Sequence, residues 1–301
     1  MGKDLYISSD HDGRRLDRVL RTLWPQVPLG VIMKAIRKGE VRLDAKKTAP
    51  DTRLSEGQYL QVPWDDELPR DAQKKACPHQ TFPPLDTLYR DDFVWIVNKP
   101  AGLLTQPDEK GGDSLITRAL SELKWSRADF RPATVQRLDR NTSGVVLIAL
   151  SGKAQRILSE MIRSREIKKI YWAVVAGELP EKGEIDFPLL KDPETNKVTV
   201  DAGGQEALTR YGRLGSGRGW STAELELVTG RPHQARAHMA AIGHPILGDT
   251  KYGGDGKAAK RPLLHARSVE FPERAELPDK IRGAKIAAPL PRDMEGYKNA
   301  L

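Results

Sequence analysis

The stretch VQRLDRNTSGVVLIAL, residues 135–150, sets one carboxylate, Asp139, between Arg137 and Arg140 and then runs through Thr-Ser-Gly into an apolar strand. A carboxylate flanked by two arginines is either an ordinary surface ion pair or a group held ionised at the lip of a cleft so that it can react. Nearby positive charge favours the ionised form, and an ionised carboxylate can attack an electrophilic carbon or take up a proton. The tripeptide alone does not choose between these readings.

Other chemistries have less support. Cys77 is the single cysteine, which excludes an internal disulfide and a cysteine zinc cluster, and it sits in a polar, proline-bearing stretch. GGDGKA at 253–258 follows Lys251 where a P-loop needs glycine, and ends on Ala258 where it needs Ser or Thr. His233 and His238 lie about 140° apart around a helix, with no cysteine nearby to complete a metal shell. A GxSxG nucleophile elbow is absent. Asn141-Thr142-Ser143 is formally a glycosylation acceptor, but a chain without a secretory signal does not meet that machinery. These observations lead us to expect neither a metal nor a cofactor.

Composition narrows the classes further. With 301 residues, 39% hydrophobic and 30% charged, the balance is that of a globular protein. No run approaches the roughly 20 apolar residues of a membrane helix. The start, MGKDLYISSD, lacks the apolar core of a secretory signal, and Tyr6 stands where a myristoylation motif needs Ser or Thr. A cytosolic protein is expected. The formal charge of +8 fits a polyanionic partner.

The elements that must position Asp139 fall into two units. In residues 1–63, GRRLDRVLRTLWP places Leu16, Val19, Leu20 and Leu23 at helical spacing, and PLGVIMKAIRKGE repeats the pattern with Val31, Ile32, Ala35 and Ile36 before a C-capping Gly39. A strand at Val41 and Leu43, a basic turn and a second strand at Tyr59–Val62 follow. This helix-helix-strand unit carries Arg15, Arg18, Arg37, Lys38 and Arg42, and it resembles the S4 RNA-binding domain, which implies that those cations contact RNA. Residues 64–86 mix charge and proline without period and read as a linker.

Residues 87–301 read as a second domain of catalytic size. Strands are expected at Phe93–Val97, Val145–Leu150, Ile170–Ala176 and in AELELV, and helices around Ser114–Leu123 and in KAQRILSEMIRSRE. Helices and hairpin-like turns interrupt the strands, so the expected class is α+β, built on a mixed, largely antiparallel sheet. Pro232 in the first turn and Gly243 at the end make RPHQARAHMAAIG a helix, on which Arg231 and Arg236 point in different directions. Only one of them should reach Asp139.

Four polar stretches sit at the ends of these elements: NKPAGLLTQP at 98–107, QRLDRNTSGVVLIAL at 136–150, IKKIYWAVVAG at 167–177 and TGRPHQARAHMAAIGHPILGDTKYG at 229–253. In order and spacing they resemble the RluA-type family of RNA pseudouridine synthases, and with the S4-like unit the resemblance spans nearly the whole chain. Two departures stand out: Gln136 replaces a usual His, and Ala235 replaces a larger aliphatic residue. The resemblance implies isomerisation of uridine in structured RNA, of the large ribosomal subunit by the domain arrangement, by a protein expected to be monomeric. It implies that Asp139 is the catalytic carboxylate, that Arg236 pairs with it, that Tyr171 stacks on a uridine flipped out of the RNA, and that Arg137 is left for RNA.

Such an isomerisation breaks N1–C1′, turns the uracil and joins C5 to C1′, with no oxidation and no external energy source. Asp139 can attack C1′, add to C6 of the base or take a proton from C2′, and all three routes need it ionised. The competing class is a catalytically idle RNA-binding platform, for example in ribosome assembly. Against it, a platform gains nothing from a carboxylate on a phosphate-facing surface.

Overall fold

The computed structural model describes residues 2–65, 82–108, 112–125 and 130–298. Cys77 and most of the expected linker lie outside the described residues. The N-terminal elements are β1 (Lys3–Tyr6), α1 (Leu16–Leu23), α2 (Leu29–Lys38), β2 (Arg42–Leu43), β3 (Lys46–Lys47) and β4 (Tyr59–Val62). The strands form a sheet in the order β1-β4-β2-β3. The apolar stripes of both helices close over it: Leu16, Leu20, Ile32, Ile36 and Leu60 are fully or almost fully buried, each contributing about 1.5–3 kcal/mol.

Three features differ from the sequence expectation. Val31 faces outward at 49% exposed, because the helix repeat turns Ile32 and Ala35 inward instead. Strand β1 was not expected; its register against β4 runs Lys3↔Val62 to Tyr6↔Tyr59, and the polar KDLY gives no apolar alternation to read. Trp64 packs edge-on against Trp24 at 5.9 Å between ring centroids, so its indole belongs to the packing of this unit.

The larger unit contains β5 (Thr87–Arg90), β6 (Val94–Lys99), α3 (Leu115–Glu122), β7 (Ala133–Thr134), β8 (Ser143–Ala149), α4 (Gly152–Arg163), β9 (Lys168–Ala176), β10 (Lys182–Asp186), β11 (Leu189–Lys191) and β12 (Val198–Val200). It continues through β13 (Leu208–Gly217), β14 (Trp220–Leu227), α5 (Gln234–Ala241), β15 (Leu264–Glu270), β16 (Lys285–Ala287) and α6 (Arg292–Lys298). Ten strands make one sheet, with the main path β10-β13-β14-β9-β15-β8-β6-β5. The pairing of β15 with β8 is parallel, while the other pairings along the path are antiparallel. The class is therefore α+β on a mixed, largely antiparallel sheet.

Both faces of this sheet are covered, which explains why β8 reads as a continuous apolar run. Val146 and Ile148 face one core with Trp95 and Leu225, and Val145 and Leu147 face the other with Leu158 of α4. Gly144 at the start of β8 has φ +114, and a Cβ there would collide with the backbone of Ala266 on β15. Gly144→Ala is expected to cost about 3 kcal/mol of stability, read as a lower denaturation midpoint; an unchanged midpoint would contradict this account of the β8–β15 approach.

The two units touch at the start of α4. Asp10 Oδ1 accepts the Gly152 N–H at 2.7 Å, and Arg156 donates to the carbonyl oxygens of Asp10 and Ser9. The side chain of Ser151 caps the same helix by accepting from Ala154 N–H. No helix among the described residues is long and apolar enough to cross a membrane.

Candidate active site

Asp139 stands in the loop between β7 and β8, and that loop is clamped from the segment after β6. Thr105 Oγ1 donates to the Leu138 carbonyl and accepts the Leu138 N–H, and Gly102 N–H donates to the Arg140 carbonyl. Lys99 is fully buried, and its Nζ donates to the carbonyl oxygens of Pro100, Leu103 and Arg140. Burial pushes its pKa down to about 7 while the Asp139 carboxylate pulls it up. Three carbonyl acceptors match the three N–H bonds of an ammonium group, so the surroundings are built for the charged form. Asp139 is thus held by its own backbone, with its side chain 30% exposed at the cleft wall.

Neither flanking arginine is its partner. Arg236, from α5, donates through Nη1 to Asp139 Oδ2 at 3.0 Å. The other edge of the same guanidinium makes a two-pronged pair with Asp249, at 2.7 Å from Nε and 2.8 Å from Nη2, and Asp249 is 1% exposed. The Tyr252 ring lies under the guanidinium, 4.9 Å from its centroid. Burial works against the charge of Arg236, yet the pair with Asp249 and the neighbouring Asp139 hold its pKa above the usual arginine value. Arg236 therefore presents a fixed positive edge to Asp139 at no reorganisation cost.

The start of α5 corrects the sequence reading. The helix begins at Gln234, and its N-cap, His233, takes the left-handed conformation at φ 51, so Pro232 lies outside the helix. The Gln234 side chain explains the tight entry: its Oε1 accepts from Thr229 Oγ1 and Arg231 N–H, and its Nε2 donates to Leu208 O and Thr209 Oγ1. All four bonding positions of that amide are used. Arg231 turns away and donates to the Glu206 carbonyl, which leaves Arg236 as the arginine on Asp139.

His233 was considered above only as a metal ligand, and the structure gives it another setting. Tyr252 Oη accepts the Val198 N–H at 2.9 Å and meets His233 Nδ1 at 2.8 Å. The other ring nitrogen of His233, Nε2, stands 3.9 Å from Asp139 Oδ2. Burial lowers the His233 pKa, so near neutrality the ring is uncharged. His238 points elsewhere, to Thr209 Oγ1 and the Phe187 carbonyl.

Tyr171 on β9 is 8% exposed and lines the same cleft. Burial, followed by the Asp139 charge, raises its phenol pKa, so the ring stays neutral. Arg137 and Gln136 also line the cleft, Arg137 exposed and Gln136 with its Oε1 buried and, among the described residues, without a hydrogen-bond partner. Ala235, the other departure, is packed in the core beneath the site. The cleft has a volume of about 890 Å³, and Lys191, Lys251, Lys260 and Arg261 stand along its wall. That is room for a nucleotide with part of its chain, against a cationic wall.

Arg15, Arg18, Arg37, Lys38 and Arg42 all lie outside this cleft, on the N-terminal unit. Arg18, Arg37, Lys38 and Arg42 are exposed. Arg15 is held locally by a two-pronged pair with Asp17. The sequence reading did not single out Lys99, Thr105, Asp249 or Tyr252, although all four fall inside the polar stretches quoted from it.

A family model described as RNA pseudouridylate synthase matches residues 93–241. The ribosomal large subunit pseudouridine synthase D of Xanthomonas campestris is 33% identical over 96% of this chain and 89% of its own. An uncharacterized RNA pseudouridine synthase of Bacillus subtilis is 30% identical over 98% of this chain and 95% of its own. Among solved structures, human RNA pseudouridylate synthase domain containing 4 superimposes with a TM-score of 0.57 at 24% identity, over 71% of this chain and 93% of that one, which is a likeness of fold. Relatives similar over most of their length, and a fold that brings Asp139, Arg236 and Tyr171 to one cleft, lead to one conclusion: this chain belongs to the RNA pseudouridine synthase family, whose members are isomerases.

Proposed function

We propose that the chain converts uridine to pseudouridine in structured ribosomal RNA of the large subunit, with Asp139 as the catalytic carboxylate. The observation that carries this is the partly exposed Asp139 carboxylate in a cationic cleft, bonded to an arginine that a second, buried carboxylate, Asp249, fixes in place. Attack on C1′, addition to C6 and proton removal from C2′ all use Asp139 as the carboxylate anion, and Arg236 sets a fixed positive charge against it. The target base leaves its stack and enters the cleft, where the neutral Tyr171 ring replaces the lost stacking. Arg137, exposed at the rim, takes RNA outside the pocket. The names of relatives that act on the large ribosomal subunit support the choice of RNA, and such a substrate places the protein in the cytosol.

The test is release of tritium from C5. Because C5 becomes bonded to C1′, its hydrogen must leave, so C5-tritiated large-subunit RNA fragments are expected to lose label to water without added metal or nucleotide. Release from transfer RNA alone would redirect the substrate assignment, and no release from any RNA would end the enzyme reading.

The N-terminal unit serves in this proposal as an S4-like RNA-binding domain ending near residue 63. Its core is separate from those of the large sheet, and its helix α2 ends in the exposed Arg37 and Lys38. Removing residues 1–63 is expected to leave the remainder folded and active at high RNA concentration. RNA affinity should fall, and its dependence on salt should become shallower as phosphate contacts are lost. An unfolded truncation product would contradict this division of the chain.

A further inference from the structure

Among the described residues, one buried cation in the cleft has hydrogen bonds that are not all spoken for. Arg236 is committed to Asp139 and Asp249. Lys99 is committed to three carbonyl oxygens, Lys251 to two, and Arg261 to Asp293 and a set of carbonyls. Lys169 differs. It lines the cleft at 7% exposed, and among the described residues its Nζ makes one hydrogen bond, to the Thr229 carbonyl at 3.1 Å. An ammonium group has three N–H bonds, so two remain for a ligand.

Its position on β9 says which ligand. Lys169 and Tyr171 are two residues apart on one strand, so both side chains leave the same face, about 7 Å apart along it. That spacing matches the width of a pyrimidine with its carbonyl oxygens. Gly230 lies beside Lys169 Nζ, and a Cβ there would already touch the nitrogen at 3.5 Å, so a residue without a side chain leaves room next to it.

Resting on the proposed reaction, we infer that Lys169 is a further catalytic residue, donating a hydrogen bond to a carbonyl oxygen of the uracil while it is detached and turned. When N1–C1′ breaks, its electron pair goes with the base, and the negative charge spreads onto the C2 and C4 oxygens. Addition of Asp139 to C6 would likewise load the C4 oxygen. Half a turn of the ring about the axis through N3 and C6 exchanges N1 with C5, and it also exchanges the two carbonyls. One fixed donor therefore meets a carbonyl oxygen in the same place before and after the turn. C5 then bonds to C1′, the C5 proton leaves to solvent and N1 gains a proton, so atoms and charge balance. Tyr171 offers the ring a stacking face before and after this turn.

The experiment compares full-length wild type, Lys169→Met and Lys169→Arg on one C5-tritiated ribosomal RNA fragment. The Met variant is expected to keep its melting temperature and RNA affinity within about twofold and to release tritium about 100-fold more slowly in a single turnover, the loss typical of one charge-stabilising donor. The Arg variant should recover about tenfold of that loss. Replacing the uracil carbonyl oxygens with sulfur should slow wild type more than the Met variant, in which the hydrogen bond is already gone. A Met variant that turns over at the wild-type rate, or that responds to sulfur as wild type does, would overturn the assignment of Lys169 alone. Absence of release from wild type would overturn the reaction itself and this inference with it.

Discussion

Asp139→Asn is expected to abolish turnover while leaving a folded, RNA-binding protein. The substitution keeps the shape and one oxygen but removes the charge that each of the three chemical routes needs, so single-turnover tritium release should fall by about 10³-fold or more. Folding should survive because Asp139 is partly exposed and Arg236 keeps both hydrogen bonds to Asp249. RNA affinity should hold or tighten, since a negative charge facing phosphates is gone. An aspartate that served only as an ion-pair partner would behave oppositely, with a lower melting temperature and normal release per folded molecule. Melting temperature, affinity and release measured on one preparation separate the two.

Arg236→Met is expected to be worse for the fold than for binding. It strands Asp249, at 1% exposed, as a buried carboxylate without its cation, a loss on the order of 3–5 kcal/mol. It also removes the positive edge beside Asp139, so the folded fraction should be inactive. Adding Asp249→Asn should return much of the stability, because the stranded charge is gone, without returning activity. Denaturant midpoints of the single and double variants test the first claim. Equal midpoints for the two would show that Asp249 is not the residue that suffers.

These two residues also mark what the sequence could reveal. Asp139 stands out locally, between two arginines and ahead of a strand buried on both faces. The arginines beside it do not bind it; its partner is 97 residues away and became visible only through the motif that carries it. Asp249 carried no signal, because a single Asp in a Gly-Asp-Thr turn looks like any turn residue. Only the packing of that turn against α5 buries it. Lys99 was not singled out within its motif and is a buried clamp, since the loop around it supplies three carbonyls.

The helix of the fourth stretch began later than Pro232 suggested. The preference of proline for a first turn was overridden by the four hydrogen bonds of Gln234, which fold residues 229–234 into a tight entry. Helical periodicity located α1, α2 and α4 because each buries a single stripe. Strand β1 escaped because a four-residue strand with alternating intermediate and exposed positions is defined by its pairing partner.

The central claim is that the cleft isomerises uridine, and the most direct test is to digest large-subunit RNA after incubation with the protein and to separate its nucleosides. The account predicts one pseudouridine formed for each C5 tritium released by wild type, with or without a chelator, and none formed by Asp139→Asn. Tight binding of that RNA by wild type with every uridine unchanged would contradict it and identify the protein as a binding platform.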